Sequence, residues 1–207
     1  MTLEEFLREQ LPPQPARLLE VGCGQHGELA TTLSIAGWDV LAIDPMAPPG
    51  PIFRRLRLAE LGADEGPFDA VVAVRSLHHI RELEHALETI DGLLAPGGVF
   101  AVEEFAWDLA DEPTLEWLGE QRRLLGRDTP ATVEQLAEEW QAEHLGLHGY
   151  VTMLGALRER FAERAFAPVP TLYHELDGGQ ARVVEQALID AGAIRALGFR
   201  WSGTAAP

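Results

Sequence analysis

The chain has 207 residues, of which 46% are hydrophobic and 24% charged, the balance of a folded globular protein and too apolar for disorder. Its 33 acidic residues against 16 basic ones give a net charge of −17, which disfavours nucleic acid and anionic membrane as partners because both bind through cationic surface. No apolar run reaches the roughly 20 residues that span a bilayer, so the expected partner is a small molecule.

Met1–Phe6 lacks the basic and apolar regions of a secretory signal. Cys23 is the single cysteine and cannot form an intrachain disulfide. Together these point to the cytoplasm.

Leu3 to Gln10 reads as a short amphipathic helix, stopped by Pro12-Pro13-Gln14-Pro15. Arg17 to Val21 is a buried strand that runs into the glycine-rich turn Gly22-Cys23-Gly24-Gln25-His26-Gly27. Helical character follows from Glu28 to Ala36 and stops at Gly37. A second strand, Trp38 to Ile43, ends at Asp44-Pro45. The segment Pro45 to Gly50 is too short and proline-rich for a crossover helix, so a third strand near Phe53 to Leu58 must be reached by a loop.

Phe68 to Val74 is a continuous apolar run, the signature of a strand buried on both faces. Ile80 to Leu94 is a helix with apolar positions at Leu83, Ala86, Leu87 and Ile90, and Ala95-Pro96-Gly97-Gly98 turns into a strand at Val99 to Val102. Alternating strands and helices imply a doubly wound α/β layer with a mostly parallel sheet and helices on both faces. Beyond Phe105 come three helical stretches, Pro113 to Gly126, Thr132 to Leu145 and Tyr150 to Ala165. A strand at Thr171 to Leu176, a helix at Gln180 to Ala191 and a last strand near Ala193 to Thr204 complete the chain. Residues 1–207 therefore read as a single domain, with an N-terminal helix and linker over 1–15 and a helical insertion over 106–170.

Gly22-x-Gly24-x-x-Gly27 follows a strand and precedes a helix, where glycines let backbone approach a ligand without a Cβ in the way. The pattern alone fits a plain tight turn equally well. Asp44 adds to it, because a carboxylate ending the next strand can accept hydrogen bonds from both hydroxyls of a ribose.

These residues resemble the class I S-adenosylmethionine-dependent methyltransferase family. Leu18-Leu19-Glu20-Val21-Gly22-Cys23-Gly24 is similar to its first motif, Asp44 to its ribose-binding acid, Pro67 to Val72 to its fourth-strand motif, and Leu94 to Gly98 to the turn before its fifth strand. The resemblance covers residues 17 to 105 and implies a Rossmann-like, seven-stranded sheet, S-adenosylmethionine as cofactor, and a cap that shapes the acceptor site. It implies that Glu20 orients the cofactor's ammonium group, that Gly22, Cys23, Gly24, Asp44 and Pro45 form the nucleoside cradle, and that Ala59 and Glu60 border the adenine. Arg75 and Ser76, directly after the fourth strand, are expected to line the same pocket.

The expected reaction moves a methyl group to oxygen, nitrogen or carbon of a small organic acceptor, in a monomer or homodimer. A nicotinamide-dependent oxidoreductase is the rival reading, but it leaves Glu20 unexplained. A binding protein that keeps the fold without turnover is the other.

His78 and His79 follow the fourth strand and read either as a general base or as strand-end histidines that pack the next helix. One of Glu103 and Glu104 is expected to face the pocket and the other solvent, by strand alternation. His144 and His148 share a spacing that suits a metal, yet Gly146 and Gly149 interrupt the helix and no third ligand is fixed, so no metal is assigned. Trp107, Trp117, Trp140 and Tyr150 either wall an acceptor pocket or form the core of the helical segment.

Overall fold

The structure is a computed structural model and describes residues 1–176 and 178–205. It divides into two compact units. The first comprises Met1–Glu104, Val151–Phe166 and the segment from Arg200, and the second comprises Phe105–Tyr150 and Ala167–Phe199.

Helix α1 (Leu3–Gln10) opens the first unit. Thr2 Oγ1 accepts the Glu5 N–H at 3.1 Å and the Glu5 carboxylate accepts the Thr2 N–H at 2.6 Å, which satisfies two donors that the helix cannot. Strands β1 (Arg17–Val21), β2 (Asp39–Ile43), β3 (Phe53–Arg54), β4 (Phe68–Val74) and β5 (Leu94–Phe105) follow, with α2 (Glu28–Ala36) and α3 (Leu83–Leu93) as crossovers. β1 pairs in parallel with β2 on one side and β4 on the other, Val21 lying beside both Ile43 and Ala73. As expected, no helix joins β2 to β3, which is only two residues long.

The seven strands are ordered β3-β2-β1-β4-β5-β7-β6. The sheet is mostly parallel, and β7 (Gly198–Ala205) reverses direction beside β6 (Phe161–Val169). An added Cβ at Gly203 would meet the Ala162 carbonyl, and one at Gly198 the Val169 carbonyl, so the two strands run oppositely. The core of the first unit includes Phe6, Leu18, Ala42, Ala70, Val72 and Ala101, packed as sheet faces and helix flanks. The Rossmann-like α/β expectation holds.

One strand lies elsewhere than expected. Residues 161–169 form β6, and helix α6 (Tyr150–Arg160) ends directly before it, so the helical stretch stops at Arg160 rather than near 170. Thr171 to Leu176 forms a short 3₁₀ turn instead of a strand, because the Glu185 carboxylate of α7 (Gly179–Asp190) accepts the N–H groups of Thr171, Leu172 and Tyr173. β6 is an edge strand with exposed charges at Glu163 and Arg164 and a proline, which hides it from apolar pattern reading.

The second unit contains α4 (Glu112–Leu124), α5 (Val133–Glu143) and α7. Its core gathers Phe105, Leu118, Leu136, Trp140, Leu172 and Leu197. Among the described residues no helix is long and apolar enough to cross a membrane.

Candidate functional site

Parallel pairing brings the C-terminal ends of β1, β2 and β4 side by side, and the first glycine turn is tied to this edge. Gly22 and Cys23 N–H both donate to the Ile43 carbonyl, at 2.8 and 3.2 Å. Gly22 has φ +84°, and a Cβ there would lie 2.3 Å from the Ser76 Cβ, so only hydrogen fits. Gly24 has φ +64° and its missing Cβ would meet no atom within 4 Å. The first glycine is thus required for packing, and the second leaves backbone bare over open space.

Asp44 closes this edge. Its Oδ2 accepts the Gly24 N–H at 3.0 Å and its Oδ1 accepts the Met46 N–H at 2.6 Å, which fixes the carboxylate while leaving lone pairs available on both oxygens. Glu20 lies behind the loop at 3% exposure, and its Oε2 has no hydrogen-bond partner among the described residues. Burial pushes the Glu20 carboxyl up from 4.5 to about 7; the Ala30 N–H opposes that rise, and the Asp44 charge adds to it. The same burial, aided by Glu20 and Asp44, lifts the Cys23 thiol to about 12, so Cys23 is no nucleophile.

The exit from β4 is built around Glu104. Its Oε1 accepts the N–H groups of Ser76 and Leu77 at 2.8 and 2.6 Å, and its Oε2 accepts His78 Nδ1–H at 2.6 Å. The Ser76 hydroxyl donates to the Val21 carbonyl at 2.8 Å, which joins this exit to the end of β1. Arg75 has φ +51°, unusual for a residue with a Cβ. His78 is buried in these contacts, whereas His79 is exposed, and partial burial followed by the nearby His78 lowers the His79 imidazole below 6.5.

A cavity of about 810 Å³ opens at this edge. Gly22, Gly24, Asp44 and Pro45 line it from β1 and β2, Ala59 from the turn Leu58–Glu60, and Arg75, Ser76 and His79 from the β4 exit. Glu20 and Cys23 sit behind the loop and His78 is turned inward, so none of the three reaches the cavity wall. Glu60 is absent from the wall as well, its carboxylate accepting the Arg57 N–H at 2.7 Å.

The alternation expected for Glu103 and Glu104 fails. Both are buried, because β5 is covered on both faces, and Glu103 is paired with Arg200 at 2.6 Å. Sequence reasoning also missed Arg57, Arg81, Glu82, His85 and Thr89 on the cavity wall. The available signal was position, since the start of α3 leaves the same sheet edge as His79 and His85 and Thr89 share one helical face.

In the second unit His144 Nδ1–H donates to the Trp140 carbonyl at 2.7 Å, and its ring stacks on Trp107 at 5.5 Å. His148 offers its carbonyl to Trp107 Nε1–H at 3.3 Å. These histidines and tryptophans are tied into that unit's packing, and Tyr150 packs edge-on against Phe199. No group of three or more histidine, cysteine, aspartate or glutamate side chains among the described residues is placed to hold a metal ion.

The geometry can be set beside known proteins. Residues 2–170 match the family model of the methyltransferase domain. An uncharacterized methyltransferase of Mycobacterium tuberculosis is 37% identical over 116 residues, covering 49% of this chain and 57% of that protein. The tRNA U34 carboxymethyltransferase of Alcanivorax borkumensis is 37% identical over 106 residues, covering 44% of this chain and 32% of that protein. The matches thus span about half or less of the curated relatives' length. The crystal structure of an S-adenosylmethionine-dependent methyltransferase of Mesorhizobium loti shares the fold, with a TM-score of 0.60 at 20% identity over 97% of this chain and 96% of that one. The chain belongs to the class I S-adenosylmethionine-dependent methyltransferase family.

Proposed function

We propose that the protein transfers a methyl group from S-adenosylmethionine to oxygen, nitrogen or carbon of a small organic acceptor. The observation that carries this reading is the pairing of a bare glycine backbone with two carboxylates at one strand edge. Glu20 keeps a buried oxygen without a partner, the Gly24 Cβ direction is empty, and Asp44 is held at the cavity wall. That set fits the cofactor. The Glu20 carboxylate behind the loop draws an ammonium group toward the end of β1, and ribose hydroxyls suit the lone pairs of Asp44. Leu58 and Ala59 offer an apolar border for the adenine.

When bound, the cofactor supplies a methyl group already activated on a sulfonium. The chain's own work is then to orient and to exclude water. Ser76 and Glu104 hold the β4 exit in one conformation, which fixes Arg75 and His79 at the wall. His79, kept neutral near pH 7 by its lowered imidazole, is the group on the wall suited to accept a proton from an acceptor hydroxyl or amine. His78 has no such role, being occupied by Glu104. The acidic balance of the chain supports a small acceptor over nucleic acid.

Thermal unfolding with S-adenosylhomocysteine, and separately with NAD⁺ and NADH, tests the cofactor. The midpoint rises with S-adenosylhomocysteine alone. A rise with a nicotinamide cofactor and none with S-adenosylhomocysteine overturns the reading.

A further inference from the structure

All 16 basic residues of the chain are arginine. Among the described residues every arginine side chain outside the cavity has a hydrogen bond, ion pair or ring partner, from Arg8 on Glu4 to Arg200 on Glu103. Three have none, Arg57, Arg75 and Arg81, and all three line the same cavity. In a chain of net charge −17, where carboxylates outnumber guanidinium groups about twofold, three unmatched cations on one wall are a directed feature.

The acids on that wall do not match them. Asp44 already receives two backbone N–H groups, and Glu82 is the only other acid on the wall, so the three guanidinium groups outnumber its carboxylates. The cofactor does not match them either, since it brings a sulfonium and an ammonium against a single carboxylate. Arg75 stands beside Gly22 and Ser76 at the cofactor end and can take that carboxylate. Arg81 comes from the segment that leads into α3, whose residues His85 and Thr89 line the same cavity. Helix α3 packs against the turn Leu58–Glu60, which follows Arg57 directly.

We infer that the methyl acceptor is a small organic anion whose carboxylate or phosphate group is held by Arg81, with Arg57 adding to the same field. This rests on the cofactor reading above and names its substrate class. A guanidinium pairs with such groups through two parallel N–H bonds, so it fixes orientation as well as charge. The atom to be methylated is then presented toward His79. A nucleic-acid phosphodiester offers the same charge, but the unmatched cations are confined to one cavity instead of forming a surface stripe.

The test uses the full chain saturated with S-adenosylhomocysteine and titrated with benzoate, phenyl phosphate, neutral benzamide and a short single-stranded RNA. Benzoate or phenyl phosphate binds at least about tenfold tighter than benzamide and the RNA. Arg81→Gln weakens that anion at least about tenfold and leaves the S-adenosylhomocysteine affinity within about twofold. Arg164→Gln, which removes the same charge from an exposed site on the Gln10 carbonyl, changes neither. Equal binding of benzamide, no binding of either anion, tighter binding of the RNA, or equal effects of the two substitutions overturns the inference. Wild-type protein that binds no S-adenosylhomocysteine overturns the cofactor reading separately, and the anion titrations repeated without it still report on Arg81.

Discussion

Glu20→Gln removes a carboxylate that the fold holds in an unfavourable place. The side chain is 3% exposed with one oxygen unpartnered, and burial raises its carboxyl from 4.5 to about 7. The native state therefore binds the proton more tightly than the unfolded chain does. The carboxyl costs nothing below pH 4.5, and stability is lost progressively as pH rises from there through about 7. The gap between those two values corresponds to roughly 3 kcal/mol at pH 8. Glutamine has nearly the same shape, still accepts the Ala30 N–H, and cannot ionise.

Urea unfolding of the cofactor-free protein, followed by tryptophan fluorescence at pH 5 and pH 8, measures the effect. At pH 5 the variant is more stable by less than about 1 kcal/mol, and at pH 8 by about 3 kcal/mol. Its S-adenosylhomocysteine affinity falls about tenfold or more, because the ammonium loses a charged partner. A stability difference that is the same at both pH values refutes the reasoning, since it leaves no buried ionisation to remove.

Four further substitutions separate fold from site. Asp44→Ala weakens S-adenosylhomocysteine by roughly 1.5–3 kcal/mol in calorimetry while the unfolding transition stays cooperative, and unchanged affinity places the ribose elsewhere. Gly24→Val and Gly27→Ala behave differently, since the first adds bulk to open space over the cavity and the second puts a Cβ 2.2 Å from the Phe53 ring. Both variants lower the melting midpoint, because each glycine has a positive φ, but Gly24→Val also loses ligand affinity in the folded protein, and retained affinity contradicts the loop assignment. Glu104→Ala strands the Ser76 and Leu77 N–H groups and the His78 ring without an acceptor, which costs about 3 kcal/mol or more in urea unfolding. A loss below about 1 kcal/mol shows that Glu104 does not hold the β4 exit.

The parts of the fold that build the site were legible because parallel strands buried on both faces read as unbroken apolar runs. Leu18-Leu19 in β1 and Val71-Val72 in β4 gave that signal, and Asp44 stood at the end of the strand between turns where a ligand binds. β6 was not legible, since an edge strand with exposed charges continues from a helix without any breaker. The roles of His78 and His79 were also hidden. They are adjacent in sequence, but which one turns inward depends on Glu104, a partner supplied by the next strand. Nothing in the sequence marks Arg81, and its lack of a counter-ion becomes visible only when every arginine outside the cavity is seen paired.

The cavity assignment is tested most directly by a crystal structure of the protein with S-adenosylhomocysteine. The ribose hydroxyls are expected on the Asp44 carboxylate, the amino group at the end of β1 in front of Glu20, and the chain of the ligand crossing the bare backbone of Gly24. A ligand bound away from the ends of β1 and β2, or a soaked crystal with that cavity filled by solvent at saturating ligand, contradicts the assignment.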